Sequence, residues 1–117
     1  MVTYTLPLDG EPTQVLRYAQ SDGHQPFTAW QDSLRDTRIK AAVATRIGRL
    51  RLGLYGDYRV IDRGIWELRI HLGAGYRLYF LRDGQRVVIL LCGGDKSSQR
   101  RDILKAQRYA EDYRRTR

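Results

Sequence analysis

The sequence is poor in the residues that cross-linking and metal chemistry require: it has one cysteine, Cys92, and two histidines, His24 and His71. A lone cysteine excludes an internal disulfide and is compatible with a reducing compartment. Cys92 lies in an apolar stretch and reads as a small buried hydrophobe rather than a nucleophile. No Cys/His or paired-carboxylate spacing accompanies the histidines, so no metal and no other cofactor is expected. Long apolar runs are missing as well. None approaches the length of a membrane span, and Met1 to Gly10 has neither the basic nor the apolar region of a secretion signal. The expectation is a soluble, cytoplasmic protein with no membrane partner. Acids are outnumbered, with 13 Asp and Glu against 21 Lys and Arg and a net charge of +8. That surplus suggests a polyanionic partner, nucleic acid first, although solubility alone is a sufficient reason for it. At 117 residues the chain is expected to be one domain, residues 1–117, long enough to bury roughly two-thirds of its unfolded surface without staples.

What is there is organised around Gly64 to Gln99. Alternation predicts a half-buried strand over Ile65 to His71, with Trp66, Leu68 and Ile70 on one face and Glu67, Arg69 and His71 on the other. A second strand follows over Tyr76 to Arg82, and a third over Arg86 to Cys92 after the turn signal Asp83-Gly84. With Gly73-Ala74-Gly75 as the connection, Leu72 pairs with Tyr76, Ile70 with Leu78 and Leu68 with Phe80, which puts the apolar residues on one face. Arg69, His71, Arg77 and Tyr79 then share the opposite face. The loop Gly93 to Ser98 carries Lys96 back towards Arg77, so that three cations converge at one end of a sheet.

The flanking segments supply the layers. Thr13 to Gln20 reads as an edge strand and Asp57 to Ile61 as a short strand. Pro26 opens a short helix whose Phe27, Trp30 and Leu34 share a face. Asp36 caps a longer helix with the stripe Ile39, Val43, Ile47, Leu50 and Leu54, ended by Gly53. Arg38 and Arg49 flank that stripe on one side and Lys40 and Arg51 on the other, with Arg46 at its edge. Acids are absent there from Thr37 to Arg51, and charge of one sign favours phosphate contact as much as simple solvation. A last helix after Ser98 lays Ile103, Ala106, Ala110 and Tyr113 on one face. The fold class is α+β, a mostly antiparallel sheet of four to five strands with two N-terminal helices and one C-terminal helix.

Gly93-Gly94-Asp95-Lys96-Ser97 fails the P-loop pattern, because Asp95 stands where a glycine should precede the lysine. Free N–H groups at a helix start beside Lys96 make an anion site there, and a serine-capped turn accounts for the same residues. Metal-free RNA cleavage needs the 2′-hydroxyl in line with its phosphate, neutralisation of growing charge, and handling of two protons. Arg77 can bind the phosphate through its planar fork while Arg69 and Lys96 stabilise the pentacoordinate state. Glu67 and His71 are the conventional groups for proton transfer. A salt bridge to Arg69 or Arg77 that orients the site is the better account of Glu67, and a partly exposed strand position accounts for His71 equally well.

The run Gly64-Ile65-Trp66-Glu67-Leu68-Arg69-Ile70, then Gly75-Tyr76-Arg77-Leu78-Tyr79-Phe80, then Leu90 to Gln99, with Asp102-Ile103 and Ala106, resembles the addiction-module killer, HigB-like branch of the RelE/ParE toxin superfamily. Phe27 to Leu34 and the region from Arg46 to Asp57 fit the same branch. The resemblance implies a type II toxin with the compact RelE fold, active as a ribosome-dependent, metal-independent mRNA endoribonuclease. It also implies a cognate antitoxin, in this branch usually a helix-turn-helix protein, whose complex can bind operator DNA. Catalytic positions fall on Arg69, Arg77 and Lys96, with Glu67 where RelE often has lysine and Asp102 near its last tyrosine. RNA and ribosome contacts would come from Arg38, Lys40, Arg46, Arg49, Arg51, His71 and Tyr79. Two other readings share the sequence: a ParE-like toxin that acts on DNA gyrase, and a non-catalytic RNA-binding module.

Overall fold

The structure, a computed structural model, describes residues 12–116. Its strands are β1 (Gln14–Arg17), β2 (Tyr58–Ile61), β3 (Ile65–Ile70), β4 (Tyr76–Arg82) and β5 (Val87–Asp95). Its helices are α1 (Pro26–Ser33), α2 (Thr37–Arg51) and α3 (Gln99–Thr116), the last entered through a short 3₁₀ turn, Lys96–Ser98. None of the described helices is long and apolar enough to cross a membrane. The expected Met1 to Gly10 region lies outside the described residues.

The five strands form one mixed sheet in the order β1-β5-β4-β3-β2. β1 runs parallel to β5, and the other pairs are antiparallel. The architecture is α+β as expected, with β1 at the edge. Pro26 occupies the first turn of α1, Asp36 accepts from the Arg38 backbone N–H at the start of α2, and Gly53 (φ 77°) ends it. At that end Gly53 N–H donates to the Leu50 carbonyl and Leu54 N–H to that of Arg49, a Schellman closure. Leu54 therefore leaves the helical stripe and is 50 % exposed, and Tyr55 takes the core position in its place.

Two apolar layers sandwich the sheet. Trp66, Leu68, Ile70, Leu78, Phe80 and Leu90 pack with Phe27, Ile39, Val43, Ile47, Leu50 and Tyr55 on the α1/α2 side. Ile65, Tyr79, Leu81, Ile89, Leu91 and Cys92 pack against Ala106 and Ala110 of α3 on the other. β3 is thus covered on both faces, not half-buried, because the small alanines let α3 lie close over it.

Register differs from the sequence expectation by two residues: Ile70 pairs with Tyr76, Leu68 with Leu78 and Trp66 with Phe80. The connection is longer, His71 to Gly75, with Gly73 and Gly75 both at positive φ. An even shift leaves every side chain on its expected face, but it sets Arg69 directly opposite Arg77 and puts His71 beyond the strand. The turn after β4 is also longer than two residues, since Asp83 N–H bonds to the Val87 carbonyl and β5 begins at Val87. β5 continues through Gly93, Gly94 and Asp95, which were expected in a loop. A bulge opposite Tyr79 and Phe80 turns both Leu91 and Cys92 towards α3.

Candidate functional site

On the α3 side, the ends of four strands align in two adjacent rungs. One rung reads Arg59, Glu67, Tyr79 and Cys92; the next reads Asp57, Arg69, Arg77 and Gly94. Residues directly opposite on antiparallel strands have Cα atoms about 4.5–5.5 Å apart, so the Arg69 and Arg77 side chains leave the sheet side by side.

Glu67 is fully buried, which a carboxylate tolerates only with partners. Gln99 donates to it at 3.0 Å, Arg59 Nη2 lies 3.2 Å from Oε1, and Arg77 Nε lies 3.5 Å from Oε2. Of the sequence alternatives for Glu67, the salt bridge to Arg77 is the one present. Its effect is to fix Arg77, whose side chain is 12 % exposed and whose Nη1 leans on the Gly75 carbonyl at 3.4 Å. Arg77 Nη2 has no partner among the described residues.

Arg69 Nη2 meets Asp57 Oδ1 at 3.3 Å, and the other oxygen of Asp57 meets His71 Nε2. The hydrogen bond with His71, aided by the Arg69 charge and opposed by partial desolvation, holds the Asp57 carboxyl below the usual carboxylate range. Lys96 completes the group across Gly75, where a Cβ would lie 3.7 Å from Lys96 Cβ and 3.9 Å from Arg77 Nη1. Lys96 is exposed and has no ion-pair partner among the described residues. Asp57 and Glu67 only partly offset Arg59, Arg69, Arg77 and Lys96. The excess is cationic, with one planar fork held in place, an arrangement that suits a phosphate.

Three expectations need correction. Tyr79, expected at an RNA surface, is fully buried beneath α3, and burial together with the Glu67 charge pushes its phenol far up. Arg46 is half-buried, with its guanidinium taken by the carbonyls of Arg69 at 2.6 Å, Tyr55 at 2.9 Å and Asp57 at 3.4 Å, so it ties α2 to the β2–β3 end. The anion position at the 3₁₀ turn is filled from within: Asp95 accepts from the N–H groups of Ser97 at 2.8 Å and Ser98 at 3.3 Å. The Ser97 hydroxyl also donates to that carboxylate and holds it below its usual range. Arg38, Lys40, Arg49 and Arg51 do lie exposed on α2, Arg38 beside Asp36 at 3.3 Å.

Sequence reasoning missed Asp57, Arg59 and Gln99. Asp57 and Arg59 alternate with period two on a short strand, a signal that was present. Gln99 lies 32 positions from Glu67, and nothing local announces it. Among the described residues no three His, Cys, Asp or Glu side chains form a metal-holding group.

Two comparisons bear on this site. A family model described as phage-derived protein Gp49-like matches residues 27–111, which include both rungs and Lys96. An uncharacterized protein of Haemophilus influenzae (strain Rd) is 45% identical over 86 residues, covering 74% of this chain and 87% of the relative. The chain therefore belongs to the phage-derived Gp49-like family, a RelE-like toxin family of toxin–antitoxin systems.

Proposed function

We propose that this chain is the toxin of a type II module that cleaves mRNA on the ribosome, without a metal ion, and is silenced in the cytoplasm by a cognate antitoxin. The observation that carries the reading is the opposed pair Arg69 and Arg77 with Lys96 across Gly75. Arg77 grips the scissile phosphate, and Arg69 and Lys96 take up the negative charge that grows as the 2′-oxygen attacks phosphorus and the bond to the 5′-oxygen breaks. Glu67 keeps Arg77 in place. The attacking hydroxyl gives up a proton and the leaving oxygen gains one. His71 suits that exchange better than Glu67, because it is exposed and held by Asp57, whereas Glu67 is buried and already shared among three donors. Exposed Arg38, Lys40, Arg49 and Arg51 on α2 supply sequence-independent grip on ribosomal RNA.

The test is a map of mRNA 5′ ends after induction of wild type and Arg77→Ala, with translation running and with initiation blocked. Discrete cuts that require both Arg77 and translation are expected. Growth arrest with no cuts would refute the nuclease reading and favour a protein target such as DNA gyrase.

A further inference from the structure

The backbone at Asp57 is fixed independently of its side chain. Arg46 of α2 donates through Nη2 to the carbonyls of Tyr55 at 2.9 Å and Asp57 at 3.4 Å, and through Nη1 to that of Arg69 at 2.6 Å. Gly56 makes this reach possible, since its φ is 67° and a Cβ there would lie 2.9 Å from Arg46 Nη2. The Asp57 carbonyl also accepts from the Arg69 backbone N–H at 3.0 Å. One guanidinium therefore ties the residue before β2 to the end of β3.

From that fixed point the Asp57 carboxylate divides its two oxygens. Oδ1 takes Arg69 Nη2 at 3.3 Å, and Oδ2 meets Nε2 of His71. An ionised carboxylate only accepts, so the proton in that contact belongs to Nε2 and the lone pair of the neutral ring lies on Nδ1. Nδ1 meets no partner among the described residues, and the His71 side chain is 73 % exposed. A histidine with one nitrogen held by a carboxylate and the other free is arranged as a base.

Resting on the nuclease reading, we infer that Asp57 is a positioning residue: it holds His71 in the tautomer whose free Nδ1 takes the 2′-hydroxyl proton, and through its other oxygen it holds Arg69 for the phosphate. One carboxylate thus registers the base against a cation of the site. As the O2′–P bond forms, the proton passes from O2′ to Nδ1 and the P–O5′ bond breaks. The 5′-oxygen takes a proton from water, and the imidazolium returns its own to the hydroxide that remains. Asp57 touches no substrate atom and acts only through His71 and Arg69.

Asp57→Asn tests this because its amide has one favourable way to lie. Arg69 is a donor, so the amide oxygen stays on Arg69 and the NH₂ turns to His71, where it can only donate to Nε2. That moves the ring proton to Nδ1 and removes the base, while the contact with Arg69 persists. The ring nitrogens are read by ¹⁵N NMR of the full chain at a pH where imidazole is neutral, with His24, the other of the two histidines, as internal reference. Wild type is expected to carry Nε2–H at His71 and Asp57→Asn to carry Nδ1–H, with His24 unchanged. In single-turnover cleavage on programmed ribosomes, Asp57→Asn should lower the saturated rate by about 10²-fold and leave the half-saturating concentration within about twofold. In a His71→Ala background the same substitution should change the rate by less than about twofold, because no ring is left to orient. A His71 that keeps Nε2–H in the Asn variant would overturn the inference. A wild-type rate in Asp57→Asn would do the same, as would an equal drop in the His71→Ala background, the sign of a structural role. If wild type cuts no mRNA, the nuclease reading fails by itself, and the NMR result still decides whether Asp57 sets the His71 tautomer.

Discussion

Replacing Glu67 by alanine removes the carboxylate that lies between Arg59, Arg77 and Gln99. The Arg59 contact is half exposed and contributes less than about 1 kcal/mol. Arg77 is different: at 12 % exposure its guanidinium would be left buried without a counter-charge, and breaking such a pair costs roughly 3–5 kcal/mol. Because Arg77 retains a solvent-facing edge, the low end applies, about 3 kcal/mol, which for a domain slightly above 100 residues lowers Tm by about 12 °C. Thermal unfolding followed by circular dichroism measures this directly. The double variant Glu67→Ala/Arg77→Met discards the stranded charge and fills space with an apolar chain, so it should recover at least half of the lost Tm. A Glu67→Ala protein that melts within about 3 °C of wild type, or a double variant no more stable than the single one, would refute the claim that Glu67 anchors Arg77.

Other outcomes follow from the same packing. Gly93→Ala and Gly94→Ala each force a methyl group into contact with Trp30 or Asp102, and overpacking of this kind should cost about 1–3 kcal/mol each in denaturant unfolding. Arg63, at φ 62°, is the one non-glycine residue with positive φ among those described, and Arg63→Gly should raise stability by about 1 kcal/mol, seen as a higher melting temperature. The Cys92 thiol is pushed up to about 12 by burial, with the Asp102 charge adding to it. It should resist alkylation at pH 8 in the native state and react once unfolded. Because its folded value lies above the unfolded one, its contribution to stability is intact below about pH 8.5 and is lost as the pH rises through 12.

Much of the scaffold was legible because local rules and tertiary packing agree. Asp36, Pro26 and Gly53 act on their own neighbours, and alternation along β3 and β4 survives any even shift of register. The shift itself was not legible, since a Gly-Ala-Gly run closes a three-residue or a five-residue connection equally well. β1 running parallel to β5 is a long-range choice with no local marker. Gly93 and Gly94 read as loop by composition, yet they sit in a strand because Trp30 and Asp102 leave no room for a side chain. In the site, Arg69, Arg77 and Lys96 could be placed on one side because they belong to consecutive elements. Asp57, which holds Arg69, lies just before β2, while Arg59 and Gln99, which hold Glu67 beside Arg77, come from β2 and α3, so only the folded sheet brings them in. Tyr79 was misjudged because alternation gives the face but not what covers it.

The most direct test of the proposed phosphate-binding cluster is single-turnover cleavage of mRNA on programmed ribosomes by wild type, Arg77→Ala and Arg77→Lys, each first shown to fold and to bind the antitoxin. If Arg77 grips the scissile phosphate, alanine should slow the chemical step by about 10²–10³-fold, as loss of an oxyanion donor does. Lysine, which keeps the charge and loses the fork, should fall between the two. An Arg77→Ala protein that cleaves at the wild-type rate would contradict the account.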